Sequence, residues 1–229
     1  MVYDERMATS YAPLIRELRE KRGLSQASMA ERIGISRSSY IAFEQGVREL
    51  SLSEAEKVAE TLGITVETMM GGSVPDYEKY RQMILAFLRI NKQLPKTKLA
   101  KLLYFADFGW FYKNLHSMSG MQYRKIQYGP VADAYFRLID EMFDGGEINV
   151  EQKDGAMLIS ETRGGAKNAL SRLSSEEKKL IEQIDKKWKG KKTADIVAFT
   201  HQQLPYLYAN DNEIVSYGLF TQEDPVDIF

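Results

Sequence analysis

RGLSQASMAERIGISRSSYIAFEQG, residues Arg22–Gly46, reads as two short helices joined by a tight turn. Ser25 stands where an N-cap belongs, since its hydroxyl can accept an amide N–H of the first turn. The segment Gln26–Ile33 then runs about two turns to Gly34, which suits a left-handed C-cap. Ser36 caps the next helix, Arg37–Gln45, which buries Tyr40 and Phe43 and stops at Gly46. Working outward, Leu14–Lys21 places Leu14, Ile15 and Leu18 on one face and charge on the other. Ser53 opens a fourth helix, with Ala55, Val58, Ala59 and Leu62 facing inward, and Gly63 ends it. A last short turn covers Val66–Met70. Five short helices with a roughly three-residue turn between the second and third allow one helix to brace on a nucleic-acid backbone while the next enters the major groove.

The whole chain has 229 residues, 31 Lys+Arg against 32 Asp+Glu, and a formal charge of −1. That length suits one large or two small domains, and 44% hydrophobic with 28% charged residues is ordinary globular composition. Long disorder, collagen-like repeats and a disulfide scaffold are excluded. With no Cys and two His, thiolate zinc sites, iron–sulfur clusters and Cys nucleophiles are excluded as well, and neither a cofactor nor a metal is expected. Near-neutrality means that DNA contact must come from a local patch. Residues 14–48 supply one, with seven Lys+Arg against four Asp+Glu. The first residues carry two acids and no apolar run, and no stretch approaches 18 apolar residues, so a cytoplasmic protein without a signal peptide or membrane contact is expected.

Gly71-Gly-Ser-Val-Pro75 combines breakers and small residues, which puts a domain boundary there: residues 1–72 and 73–229. In the second half, Asp76–Arg89 and Pro95–Leu115 read as amphipathic helices. Met121–Tyr128 alternates as a strand, and Gly129-Pro130 opens a helix through Phe143. A hairpin follows, with strands near Glu147–Gln152 and Ala156–Glu161 around the Asp154-Gly155 turn. Ser174 with Glu177 forms a capping box for a helix to Lys187. A helix over Thr193–His201, the Leu204-Pro-Tyr206 corner and a polar, acidic tail complete the chain. The fold class is mainly α, with a small β element in the second domain.

Residues 14–70 resemble the Cro/repressor (XRE-type) helix-turn-helix family, with its lambda-repressor-like five-helix fold, through Arg22-Gly-Leu-Ser-Gln26, Met29-Ala-Glu-Arg-Ile-Gly-Ile-Ser36 and Phe43-Glu-Gln-Gly46. By position, the resemblance implies a phosphate-contacting Gln26 at a helix N-terminus. Ser36, Arg37 and Ser38 stand at the exposed start of the third helix, where Arg suits guanine and Ser several bases. Ile41 and Ala42, one turn on, replace the family's frequent polar readers and imply modest sequence specificity. Arg48 is a candidate phosphate contact, and Glu44 a structural hydrogen-bond partner. Against this stands a plainer reading: an interaction module without DNA, with Arg16, Arg19 and Lys21 as a solvated face.

Three clusters mark the second half: Leu99–Asp107, leading into Trp110, Phe111 and Tyr112; Ile126–Val131; and Thr200–Tyr206. His201, Asp107, Tyr104 and Tyr128 would make an acid–base set. In the alternative, Tyr104, Phe105, Phe108 and Trp110 are core and His201 bonds a local group. No nucleophile elbow, phosphate loop or metal-ligand spacing is present. Residues 80–218 resemble the Panacea domain family, which includes SocA-like antitoxins, through Lys98–Ala106, Tyr128-Gly-Pro-Val131, the Leu173-Ser-Ser-Glu-Glu helix start and Thr200-His-Gln-Gln-Leu-Pro-Tyr206. The resemblance implies a type II antitoxin, with no catalytic residues, that neutralises a toxin encoded beside it by direct contact. Operator DNA is the second partner, bound as a homodimer or a toxin–antitoxin hetero-oligomer. Tyr112, Met121, Tyr123, Arg124, Tyr128 and Tyr206 are candidate toxin contacts, as are Met118 and Tyr208. Lys186-Lys-Trp-Lys-Gly-Lys-Lys192 reads as a solvated helix end, or as a patch for an acidic toxin or a tRNA-like ligand. Competing functions are a repressor sensing a small molecule between Tyr104, Trp110 and Tyr128, an adaptor delivering its toxin to a protease, and an enzyme using His201.

Overall fold

In the computed structural model, residues 11–64, 66, 69, 74–153 and 155–229 are described. The chain divides into two compact units, residues 1–74 and 75–229, each with its own core.

The first unit is built from α1 (Ala12–Lys21), α2 (Gln26–Ile33), α3 (Arg37–Glu44) and α4 (Leu52–Thr61). Ser25 and Ser36 accept the Ser28 and Ser39 amides at 3.0 Å, and Gly34 closes α2 at φ 80°. Serine thus fixes where both helices begin, and glycine supplies the left-handed residue that turns the chain between them. The fourth helix starts earlier than its Ser53 suggests. Ser51 is the cap, because Glu54 reaches back to the Ser51 amide at 2.8 Å and completes a capping box. Ile15, Met29, Ile33, Tyr40, Phe43, Val58 and Leu62 are all but sealed from solvent. Of the turn expected over Val66–Met70 only Val66 and Met69 are described, with Met69 buried in this core; the rest lies outside the described residues, as do Gly71–Ser73 of the expected linker and Asp154 of the hairpin turn.

The second unit is organised around α6 (Lys96–Asn114), which follows α5 (Tyr77–Asn91) after a short strand β1 (Gln93–Pro95). Leu99, Leu103, Tyr104, Phe105, Ala106 and Phe108 on α6 are fully buried, so this helix is apolar on nearly every side and is enclosed by its neighbours. Around it lie α7 (Tyr135–Asp144), α8 (Ser175–Trp188), α9 (Thr193–Gln202), α10 (Leu204–Tyr208) and α11 (Tyr217–Phe220). The hairpin β4 (Ile148–Lys153) and β5 (Ala156–Glu161) forms as the turn residues imply, and β1 adds to it in the antiparallel order β1-β5-β4, with Leu94 opposite Ile159. Three residues are too few to show a period, and Pro95 is tolerated because β1 is an edge strand.

Two expectations are corrected. The strand over Met121–Tyr128 shrinks to β2 (Tyr123–Arg124), paired with β3 (Val131–Ala132), because the Gly129 amide turns back to the Ile126 carbonyl at 2.9 Å. The helix expected from Gly129 accordingly starts at Tyr135. The acidic tail is also part of the core: Val215, Tyr217, Phe220 and Ile228 are buried, and Tyr217 stacks on Phe108 with ring centroids 4.0 Å apart. Among the described residues, no helix is long and apolar enough to cross a membrane.

Candidate functional site

The last turn of α3 is anchored by a buried charge cluster. Arg19 Nε and Nη2 donate to the two carboxylate oxygens of Glu44 at 2.6 and 3.1 Å, and Arg19 Nη1 donates to the Leu24 carbonyl at 2.8 Å. Both side chains are nearly closed off, at 7% and 3% exposure. Burial pushes the Glu44 carboxyl up, but hydrogen bonds from Arg19 and Gln26 outweigh it and hold the group below its ordinary value. One ion pair thus ties α1 to the end of α3. Arg19 is therefore no solvated residue; it lies four positions after Ile15, on the buried stripe of its helix.

This cluster also binds the expected phosphate contact. Gln26 Nε2 donates to Glu44 at 2.8 Å, leaving one amide hydrogen for another acceptor. Ser36 is engaged as a cap, and its hydroxyl meets those of Ser38 and Ser39 at 2.9 and 2.8 Å. Arg37 is exposed, and its side chain forms no ion pair or hydrogen bond with another described residue. Ile41 and Ala42 are half-buried one turn later. Arg48 donates from Nη2 to Glu54 at 2.7 Å with its side chain 33% exposed, so it would meet a phosphate as one partner of a surface ion pair.

In the second unit the polar groups of α6 face inward. Asp107 accepts from the Ser119 amide at 2.7 Å, the Ser119 hydroxyl at 2.5 Å and the Tyr123 hydroxyl at 2.7 Å. Burial raises its pKa to about 6 despite those bonds. Lys101 is wholly buried, donates to the Pro130 carbonyl at 2.7 Å, and is held well below its usual pKa by desolvation. Above it Gly129 sits at φ +87°, where a Cβ would come 2.5 Å from Thr200 Oγ1 and 3.0 Å from Lys101 Cε. Gly129→Ala should therefore lower stability by about 3 kcal/mol, read as a shifted urea midpoint; an unchanged midpoint would show that the turn yields freely.

His201 does not join Asp107. Its ring stacks on Tyr206 with centroids 4.3 Å apart, and burial, with Lys101 and Lys125 nearby, lowers its pKa. Tyr104 is sealed in an aromatic cluster while Tyr128 is 57% exposed. The acid–base set is not assembled, and Tyr104 cannot line a sensor pocket. Among the described residues no group of His, Asp and Glu gathers as a metal site.

Residues 15–68 match the family model described as helix-turn-helix, and residues 99–205 the one described as antitoxin SocA-like, Panacea domain. The chain belongs to the helix-turn-helix family and carries a Panacea domain. Its helix-turn-helix is similar to the cryptic phage CTXphi transcriptional repressor RstR of Vibrio cholerae, 32% identical over 63 residues, covering 28% of this chain and 57% of the repressor. An uncharacterized HTH-type transcriptional regulator of Methanothermobacter thermautotrophicus is 46% identical over 50 residues, or 22% of this chain and 72% of its own. Control protein C.MunI of Mycoplasma sp is 41% identical over 51 residues, 22% and 69% of the two chains. This chain thus spans little more than half the length of the phage repressor. No solved structure matches it significantly. The families are those of a DNA-binding regulator and an antitoxin-like domain, not of enzymes.

The Panacea domain sorts the expected contact residues by burial. Met121 and Tyr123, at 2% and 0% exposure, are withdrawn as toxin contacts because they are core, as is Met118. Arg124 grips both Asp133 oxygens at 3.0 Å and the Asn212 carbonyl at 2.6 Å, which holds the β2–β3 ribbon in place. Tyr112 is half-buried against Phe220. Tyr206, also half-buried, lies between His201 and the Lys125 ammonium, which stands 4.5 Å from its ring centroid. Tyr128 and Tyr208 are exposed, as is Leu207, an aliphatic residue that no aromatic motif marks.

Proposed function

We propose that this chain is the antitoxin of a type II toxin–antitoxin pair. Its Panacea domain neutralises the toxin by direct contact, and its helix-turn-helix binds the operator of its own operon as a dimer on two half-sites. The observation that carries this reading is the union, in one chain, of a helix-turn-helix presenting an unengaged Arg37 with a domain of SocA-like antitoxin type. Arg37 and Ser38 read base edges, and Gln26 contributes its remaining amide hydrogen to a phosphate. Tyr128, Tyr206, Tyr208 and Tyr112 supply aromatic area for the toxin, and toxin binding feeds back on repression through linkage.

The test uses the full chain. The adjacent gene should arrest growth alone and be harmless when this chain is co-expressed. Arg37→Ala should weaken operator binding by about 5- to 150-fold, the worth of one good base contact, in a low-salt shift assay while leaving rescue intact. Unchanged DNA binding by Arg37→Ala would remove the operator assignment, and growth arrest despite co-expression would remove the antitoxin assignment.

A further inference from the structure

Where α8 ends and α9 begins, Trp188, Lys191, Asp195, Ala198, Phe199 and Gln202 line an open groove of about 460 Å³. The connecting run, Lys186–Lys192, holds five exposed lysines and no acid, and none of the five is ion-paired with a described residue. Helix-end electrostatics suit Lys186 and Lys187, in the last turn of α8, but not the other three. The end of α8 already has a cation, since the buried Lys98 ammonium donates to the Trp188 and Lys191 carbonyls at 2.9 and 2.6 Å. Lys191 and Lys192 precede α9, the positive end of that helix, where added positive charge is unfavourable. The acid in the groove is occupied too: an Asp195 carboxylate oxygen accepts the Lys192 amide at 2.9 Å.

The floor is aromatic, but Trp188, at 6% exposure, presents no open ring face. Trp188 lies face to face with Phe105 at 5.6 Å, and the Lys187 ammonium stands over the Phe199 ring at 5.2 Å. A nucleobase needs an open ring face to stack on, so the groove suits a protein side chain better than RNA. The Trp188 indole N–H is buried and has no acceptor among the described residues, a donor suited to a carbonyl or carboxylate.

We propose that this groove docks an acidic segment of the toxin, with an apolar anchor on the Trp188–Phe199 floor and carboxylates on Lys189, Lys191 and Lys192. The proposal rests on the antitoxin reading and names the partner's chemistry at one surface. Opposite charges around an apolar centre set partner choice and association rate together.

The experiment titrates full-length protein with the purified product of the adjacent gene. Lys189→Glu/Lys191→Glu reverses the rim, Ala198→Trp fills the groove from an exposed helix position, and Lys167→Glu/Lys179→Glu makes the same charge change elsewhere. With unfolding midpoints unchanged, the first two should weaken toxin binding about tenfold or more, and the last should match wild type. Wild-type affinity in both groove variants overturns the docking site, as does an oligouridylate that competes with the toxin on wild type. Absence of any binding by wild type overturns the antitoxin reading, and this proposal with it.

Discussion

Glu44→Ala is expected to unfold the helix-turn-helix domain at neutral pH. The substitution strands the Arg19 guanidinium, 7% exposed, without two of its hydrogen bonds. Breaking one partner of a buried pair costs about 3–5 kcal/mol. A domain of this size has a total stability of only about 5 kcal/mol, so the loss equals its whole margin. Scanning calorimetry should show the first unit's transition vanish while that of residues 75–229 persists. Arg19→Met/Glu44→Leu should restore folding, since removing both charges leaves neither uncompensated. A Glu44→Ala protein that melts like wild type would remove the pair from any structural role. The pH dependence has a definite sign. Because the folded Glu44 pKa is depressed, the stabilisation is present above the unfolded carboxylate pKa and is lost as pH falls through the folded one.

Asp107→Ala is the second large effect, acting on the Panacea domain. It removes the acceptor for the Ser119 amide, the Ser119 hydroxyl and the Tyr123 hydroxyl, all inside the core. Orphaned buried donors cost about 1–3 kcal/mol each before relaxation, so a total of about 4 kcal/mol is expected as a lowered denaturation midpoint. Here the pH trend runs opposite to that of Glu44. The folded pKa, about 6, lies above the unfolded value, so stabilisation from this group is full below about pH 4 and is lost as pH rises through about 6. The step from the ordinary aspartate value, about 4, to about 6 corresponds to about 3 kcal/mol. Asp107→Asn keeps an acceptor and a similar shape without the charge. The difference in stability between wild type and Asp107→Asn should therefore change by about that amount between about pH 3 and 7. A difference constant with pH would show that Asp107 does not titrate there.

Much of this was readable before any coordinates because local chemistry fixes helix ends. Ser25, Ser36 and Ser174 act as caps, and Gly34 turns the chain. The exposure of Arg37 and Ser38 follows from the same caps, since the residues just inside a helix start on the side away from Tyr40 and Phe43 face water. Contacts between distant residues were hidden. Arg19 looks like surface until Glu44 is brought beside it, and β1 is legible only through its pairing with β5. The tail's apolar residues, Val215, Tyr217, Phe220 and Ile228, follow no period and are diluted by acids. The aromatic candidates split between core and surface because a phenol suits both; only burial separates Tyr123 from Tyr128.

The sequence distances spanned by these bonds differ between the two units. The helix-turn-helix is closed by a pair only 25 residues apart, Arg19 and Glu44. The Panacea domain is closed by Lys79 with Glu177, 98 residues apart, and by Tyr217 with the Met121 carbonyl, 96 apart. Local contacts form early and distant ones wait for the intervening chain. During translation the amino-terminal unit can therefore complete its fold while the ribosome is still adding α8, and the second unit closes only after Tyr217 has emerged. The helix-turn-helix of each new molecule can then be folded while the Panacea domain is still incomplete, so every nascent chain passes through a period with only its first unit formed.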